Sequence, residues 1–288
     1  MKHSLISLIF LSAVLHVYWN LLVKKSNERL CFLWWMYLVS FLLLPFVLLF
    51  MQTSTIPPMV WLVVFASGVI HLIYTITLSY AYEDGDLSLV YPLARSAPLF
   101  VALGALIFLK EIPTIAGFAG IILTVAGAYV IGLESLTIRY IIKPVALLKS
   151  RTYQLAVLVA VISAIYTIVD RIGVGLVDPF TFIVLLLCVE AILFTPFVFW
   201  KKKKFIIPEW RNNKNGIIIA GISRFSSYLL ILYVMLQTQL GYIVAVRQIS
   251  IVLAVITGSL FLKEASLKTR MVGSFGILTG VVLISAKG

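Results

Sequence analysis

Ten stretches of about twenty predominantly apolar residues run along this chain of 288, and they leave it little choice of fold. A helix rises about 1.5 Å per residue, so about twenty residues cross the roughly 30 Å hydrocarbon core of a bilayer. On that ruler, spans are expected at 4–24, 30–50, 59–81, 87–109, 113–133, 153–175, 179–200, 215–237, 241–262 and 268–286. Lipid offers no water to backbone N–H and C=O groups, so such spans satisfy them internally as helices. Composition agrees: 62% of residues are hydrophobic and 12% charged, against about 25% charged in soluble domains. The expectation is an all-α, multi-pass integral membrane protein in a cell membrane, a prokaryotic inner membrane by preference. Lys2 precedes the first run as it would in a signal peptide. That run is too long for a signal core, carries His16 and Asn20 and has no small-residue cleavage site, so it reads as a true span.

The ten spans are one unit written twice. At an offset of 153 positions, Phe108-Leu109-Lys110-Glu111 falls on Phe261-Leu262-Lys263-Glu264. Without a gap, Gly68 falls on Gly221, Tyr80 on Tyr233, Gly120 on Gly273, Gly127 on Gly280 and His71 on Arg224. Residues 1–134 therefore form a first five-helix repeat, 135–152 a connecting loop and 153–288 a second five-helix repeat. Five is odd, so the second copy enters the membrane upside down. Inverted repeats build a pseudo-twofold axis in the membrane plane, with a substrate site near the midplane.

The formal charge of +12 is spread over short loops, a pattern that points to anionic lipid headgroups and insertion orientation, and to no nucleic acid. Sixteen of the 23 basic residues fall in loops of one side and four on the other, so the positive-inside rule places both termini outside. The longest polar stretches are 134–152 and 201–214, too short for a soluble domain. Cys31 and Cys188 lie in different spans without metal-ligand spacing and read as apolar filler. No metal site is expected.

The Phe-Leu-Lys-Glu hinges read as punctuation: Lys110 ends one helix and Glu111 precedes the next, each charge complementing a helix dipole. Ala116, Gly120, Thr124 and Gly127, and likewise Gly273, Gly276 and Gly280, form small-residue faces. Such faces let helices approach closely in lipid, so spans five and ten are expected either to pack together or to make a homodimer face.

Ionisable groups within spans cost about 2.5–3.5 kcal/mol each on insertion scales and so mark tasks. They are His16, His71, Arg95, Glu190, Arg224 and Arg247, with Asp170 and Arg171 ambiguous near a span end. Ser12, His16 and Asn20 share one helical stripe, with Trp19 beside it. Arg95 lies between Pro92 and Pro98, where missing donors kink a helix, and Arg247-Gln248 occupies the matching stretch of span nine, which lacks proline. Tyr91 joins the tyrosines that can line a cavity there. Glu190 reads equally well as a proton carrier and as the structural neutraliser of an arginine, and His16 equally as a helix–helix hydrogen bonder.

The pattern Leu15-His16-Val17-Tyr18-Trp19-Asn20 with Lys24, the Phe-Leu-Lys-Glu ends of spans four and nine, and the glycine-rich spans five and ten resemble the EamA type of the drug/metabolite transporter superfamily over essentially the whole chain. The resemblance implies secondary transport of small metabolites, often export of amino acids, without a tightly bound cofactor.

The leading expectation is a transporter, not an enzyme, for a small polar or anionic metabolite such as an amino acid or an organic or phosphorylated acid. It would work by alternating access around a midplane cavity. Arg95, Arg224, Arg247, His71, Asn20, Trp19, Tyr91 and Gln248 are its expected substrate contacts, and His16, His71 and Glu190 its candidate proton carriers. A flippase for lipid-linked or polyprenyl-linked head groups is the alternative. An intramembrane lipid-modifying enzyme is disfavoured: the acidic cluster Glu83-Asp84-Gly85-Asp86 has no partner set and reads as a helix end and turn.

Overall fold

Hydropathy and 3.6-residue geometry lead to helices, and helices are what form. The computed structural model describes residues 1–45, 49, 56–83, 93–146, 150–262 and 267–287, and no strand occurs among them. In chain order the α-helices are α1 (His3–Lys25), α2 (Arg29–Leu38), α3 (Pro58–Glu83), α4 (Ala97–Phe108), α5 (Ile115–Ile131), α6 (Ile138–Ala146), α7 (Arg151–Gly173), α8 (Pro179–Lys202), α9 (Ile206–Met235), α10 (Leu240–Arg247), α11 (Ile249–Leu262) and α12 (Leu267–Lys287). By length and composition, five stretches are long and apolar enough to cross a membrane: His3–Lys25, Pro58–Leu78, Tyr153–Gly173, Pro179–Met235 and Lys268–Ala286. Ala97–Phe108, Ile115–Ile131 and Leu240–Leu253 are shorter apolar helices. Large apolar side chains stand open on several of them, Ile115 at 92% and Phe275 at 73% exposure, as lipid-facing residues do.

Four features depart from a plain row of spans. The turn at Arg95–Ser96 ends a short helical segment before α4, as the flanking prolines predict. Its repeat mate breaks at the same place without proline: α10 stops at Arg247 and α11 restarts at Ile249, with Gln248 between. The connecting loop contains α6, tethered by the Tyr129 hydroxyl, which donates to the Ile141 carbonyl at 2.6 Å. The polar stretch 201–214 is largely helical too, running into α9 through a non-helical Asn213 (φ −126°, ψ 17°). Buried Glu209 fixes it there, accepting from the Glu28 backbone N–H at 2.8 Å and from Asn213 Nδ2 at 2.7 Å. The second hinge, Lys263-Glu264, Tyr91 and the acidic cluster from Asp84 onward lie outside the described residues.

The chain forms two compact units. Met1–Phe10, Ile73–Ile168 and Gln237–Gly288 make the first, and Leu11–Leu72 with Val169–Leu236 the second. In the first, α5 and α12 run antiparallel in backbone contact. A Cβ on Gly127 would stand 2.5 Å from the Gly273 carbonyl oxygen, and one on Gly120 would stand 2.7 Å from that of Gly280. These contacts are reciprocal at the repeat offset: 120 meets the mate of 127, and 127 meets the mate of 120. Ile284 against Gly120 and Ile131 against Gly273 repeat the rule. This is the self-complementary pattern of a twofold interface, here within one chain. The small-residue faces of spans five and ten thus pack on each other.

The Phe-Leu-Lys-Glu hinge belongs to the same unit. Lys110 takes φ 56°, the one positive φ at a non-glycine among the described residues, and closes α4. Thr114, not Glu111, supplies the N-cap of α5, accepting from Gly117 N–H at 3.0 Å. The Glu111 carboxylate instead accepts from the Leu240 backbone N–H at 2.7 Å, the first residue of α10, while Gln239 Nε2 donates to the Ile112 carbonyl at 3.0 Å. An acid of the first repeat therefore caps a helix of the second.

Leucine at Gly127, whose Cβ would meet backbone atoms, is expected to destabilise the protein by about 1–3 kcal/mol, read as a lowered melting temperature in detergent. Alanine at Gly216, where the nearest atom to a Cβ is 3.7 Å away on Phe32, is expected to be neutral or stabilising in the same assay. Within the hinge the signs should divide. Glu111→Ala costs about 1 kcal/mol through the lost cap, while Lys110→Gly relieves left-handed strain and raises the melting temperature.

Candidate functional site

The second unit gathers most of the costly residues into one network. On α3, Ser67 and His71 lie one turn apart on the same face, and Gly68 between them brings the helix close to α8. A Cβ at Gly68 would meet Val189 Cγ1 at 2.6 Å. On α9, Arg224 and Tyr228 are likewise one turn apart, and Gly221 lets that helix approach α2, with the Met36 carbonyl oxygen 3.1 Å from a would-be Cβ. Met36 and Val189 are mates at the 153 offset, so the two glycine contacts are again reciprocal.

Asp170, near the end of α7, is fully buried at the centre of the network. Its carboxylate accepts from the Ser67 and Tyr228 hydroxyls and faces His71 Nε2 at 3.2 Å. The other ring nitrogen, His71 Nδ1, lies 3.3 Å from Glu190 Oε1. Glu190 Oε2 in turn accepts from Arg224 Nη2 at 2.7 Å, and the guanidinium stacks over the Tyr37 ring at 4.4 Å from its centroid. Arg224 Nη1 is buried with no hydrogen-bond partner among the described residues. Charge pairing offsets the insertion cost of each member, while that one N–H stays free for another acceptor.

The repeat offset explains the layout. Glu190 is the mate of Tyr37 and Arg224 the mate of His71, so the His71–Glu190 and Arg224–Tyr37 contacts are one contact made twice with different chemistry. Sequence reasoning paired His71 with Arg224 but left Asp170 aside as a residue near a span end. The signal that it mattered was its burial among three hydrogen-bonding partners, which no single-helix pattern displays.

The stripe on α1 divides. Ser12 is buried and clamps α9: its hydroxyl donates to the Ser227 carbonyl, and the Ser227 hydroxyl donates to the Ser12 carbonyl, both at 2.8 Å. Asn20 is exposed and donates to the His16 carbonyl at 2.7 Å. His16 stands edge-on to Trp19, which packs against the cluster of Cys31, Phe32 and Phe194.

In the first unit a second polar centre forms at the paired helix breaks. Gln248, 5% exposed, donates through Nε2 to the Arg95 carbonyl at 3.2 Å, so the two repeat mates touch directly. The Tyr74 hydroxyl lies within electrostatic range of both Arg95 and Arg247, and its ring stands edge-on to Tyr166 at 5.5 Å. Each break thus carries one guanidinium group, Arg95 at the first and Arg247 at the second. Among the described residues no group of three or more His, Cys, Asp or Glu side chains is arranged to hold a metal.

A crystal structure described only as "Crystal structure of protein" is similar in fold, with a TM-score of 0.72 at 15% identity over 98% of this chain and 96% of that one. No curated protein matches the chain at a significant level. The EamA-like transporter family matches twice, over residues 3–133 and 150–286. Two matched copies on an all-helical scaffold with helices apolar enough to cross a membrane leave one assignment: the chain is an integral membrane protein belonging to the EamA-like transporter family.

Proposed function

We propose that the chain is a secondary transporter that exports a small polar or anionic metabolite, an amino acid or an organic or phosphorylated acid. In this reading it crosses a prokaryotic inner membrane ten times as two inverted repeats and works by alternating access. The observation that carries the substrate class is the guanidinium group at each of the two helix breaks, Arg95 at one and Arg247 at the other, joined by the Gln248–Arg95 hydrogen bond and with the Tyr74 ring in the same unit. Interrupted helices are where transporters of this architecture bind, because freed backbone groups and side chains can face the substrate. Guanidinium matches carboxylate and phosphate with two parallel hydrogen bonds, and the tyrosine ring offers an apolar face for the rest of the molecule. Gln248, bonded to the Arg95 carbonyl, holds the turn that presents the arginine. Arg224, already paired with Glu190, contributes at most its spare Nη1 donor. Trp19 and Asn20 serve α1 and its packing in this reading.

Purified protein in liposomes preloaded with unlabelled amino acids, organic acids or phosphorylated acids should exchange labelled anionic members of these classes. Arg95→Gln and Arg247→Gln are each expected to lower the flux about tenfold or more, since a charged hydrogen bond is worth about 1.5–3 kcal/mol. Arg95→Lys, which keeps the charge and loses the fork, should retain an intermediate rate. Undiminished flux in the doubly substituted protein would overturn the arginine assignment.

A further inference from the structure

We propose that His71, held between Asp170 and Glu190, is the proton-binding site that couples transport to a proton gradient, one proton per cycle, with Arg224 as the fixed counter-charge. This rests on the transporter reading above.

The argument is a count of donors. An ionised carboxylate only accepts, and a neutral imidazole has one N–H and one lone pair. Both His71 nitrogens face carboxylates, Nε2 at 3.2 Å from Asp170 Oδ2 and Nδ1 at 3.3 Å from Glu190 Oε1. Both contacts are favourable only when the cluster holds one proton more than a neutral ring between two carboxylates. Ser67 and Tyr228 donate to Asp170, and Arg224 donates to Glu190, so each carboxylate is held as an acceptor and the extra proton belongs to the ring. His71 is also the more accessible member, 12% exposed against 0% for Asp170 and 5% for Glu190. Among the described residues, the groups facing the cluster include Tyr37 on α2, Ser67 on α3, Asp170 on α7, Glu190 on α8, and Arg224 and Tyr228 on α9.

Loaded, the cluster carries two negative and two positive charges and is neutral, which suits a low-dielectric site. A proton leaving the ring for water takes one positive charge with it. A ring lone pair then points at a carboxylate, and that contact opens. Because the Ser67 hydroxyl ties α3 to Asp170 on α7 in either state, proton occupancy decides how many of the His71 contacts, to Asp170 on α7 and to Glu190 on α8, are kept. A proton taken from one side and released to the other thus changes how helices of the second unit are held, as an alternating cycle requires.

Acid titration of the purified full-length protein in weakly buffered detergent tests the site with protons alone as the probe. Wild type is expected to bind one proton more than His71→Gln. The isosteric Asp170→Asn, Glu190→Gln and Arg224→Gln, each of which removes a charge from the cluster, should each give a titration curve distinct from that of wild type. Coincident curves for wild type and all four variants, each eluting as folded protein, would overturn the proposal. In liposomes, His71→Gln should lose accumulation driven by an imposed pH gradient; accumulation equal to wild type would also overturn the proposal. If the titrations behave as expected and none of the tested acids moves, the proton site stands and the substrate reading fails.

Discussion

Helices in lipid gain nothing by hiding apolar side chains from their surroundings, so close backbone contact has to do the work that the hydrophobic effect does in water. That constraint organises this protein. Gly120, Gly127, Gly273 and Gly280 bring α5 and α12 together, with would-be Cβ atoms 2.5–2.7 Å from facing carbonyl oxygens. Gly68 and Gly221 do the same for α3 against α8 and for α9 against α2. At each of these two glycines the residue three positions on, His71 or Arg224, is carried into reach of its partner. Close packing and polar chemistry therefore have one cause: the glycine admits the neighbouring helix, and the neighbouring helix brings the charge.

Because the contacts are reciprocal at the repeat offset, the scaffold inside each unit is symmetric while its chemistry is not. One copy offers His71 and Tyr37, the other Arg224 and Glu190, at equivalent places. A symmetric set of two arginines and two glutamates at these places would make two fixed ion pairs. Placing an aromatic ring at one acidic position and an imidazole at one guanidinium position yields a network that can be neutral and can change its charge by one. Asp170 breaks the symmetry further, since its mate at the offset is the apolar Val17.

Much of this was legible in the sequence. Hydropathy located α1, α3, α7, α8 and α12 to within a few residues, because length and apolarity alone define them. The offset of 153 exposed the repeat, and it paired Arg95 with Gln248, which the structure joins directly. What escaped were interactions between distant segments. Glu111 looked like the partner of the helix that follows it, and only the fold brings α10 to its carboxylate. The break at Gln248 carries no proline and so no local signature. Asp170 was discounted for lying near a span end, although depth along a helix says little about burial when three other helices surround that end. Ser12, His16 and Asn20 share a face by helical spacing, yet Ser12 is consumed in a clamp with Ser227 and Asn20 turns back on its own helix.

The two polar centres answer different physical demands. Arg95 and Arg247 sit where helices are broken, so their side chains and the adjoining backbone can adjust around a molecule that arrives and leaves. The Asp170–His71–Glu190–Arg224 network sits on continuous helices beside close glycine contacts. In the proposed reading, a site that gains and loses one proton suits coupling to a gradient, and a broken helix suits holding a metabolite. The division follows from where the chain interrupts its helices and where it presses them together.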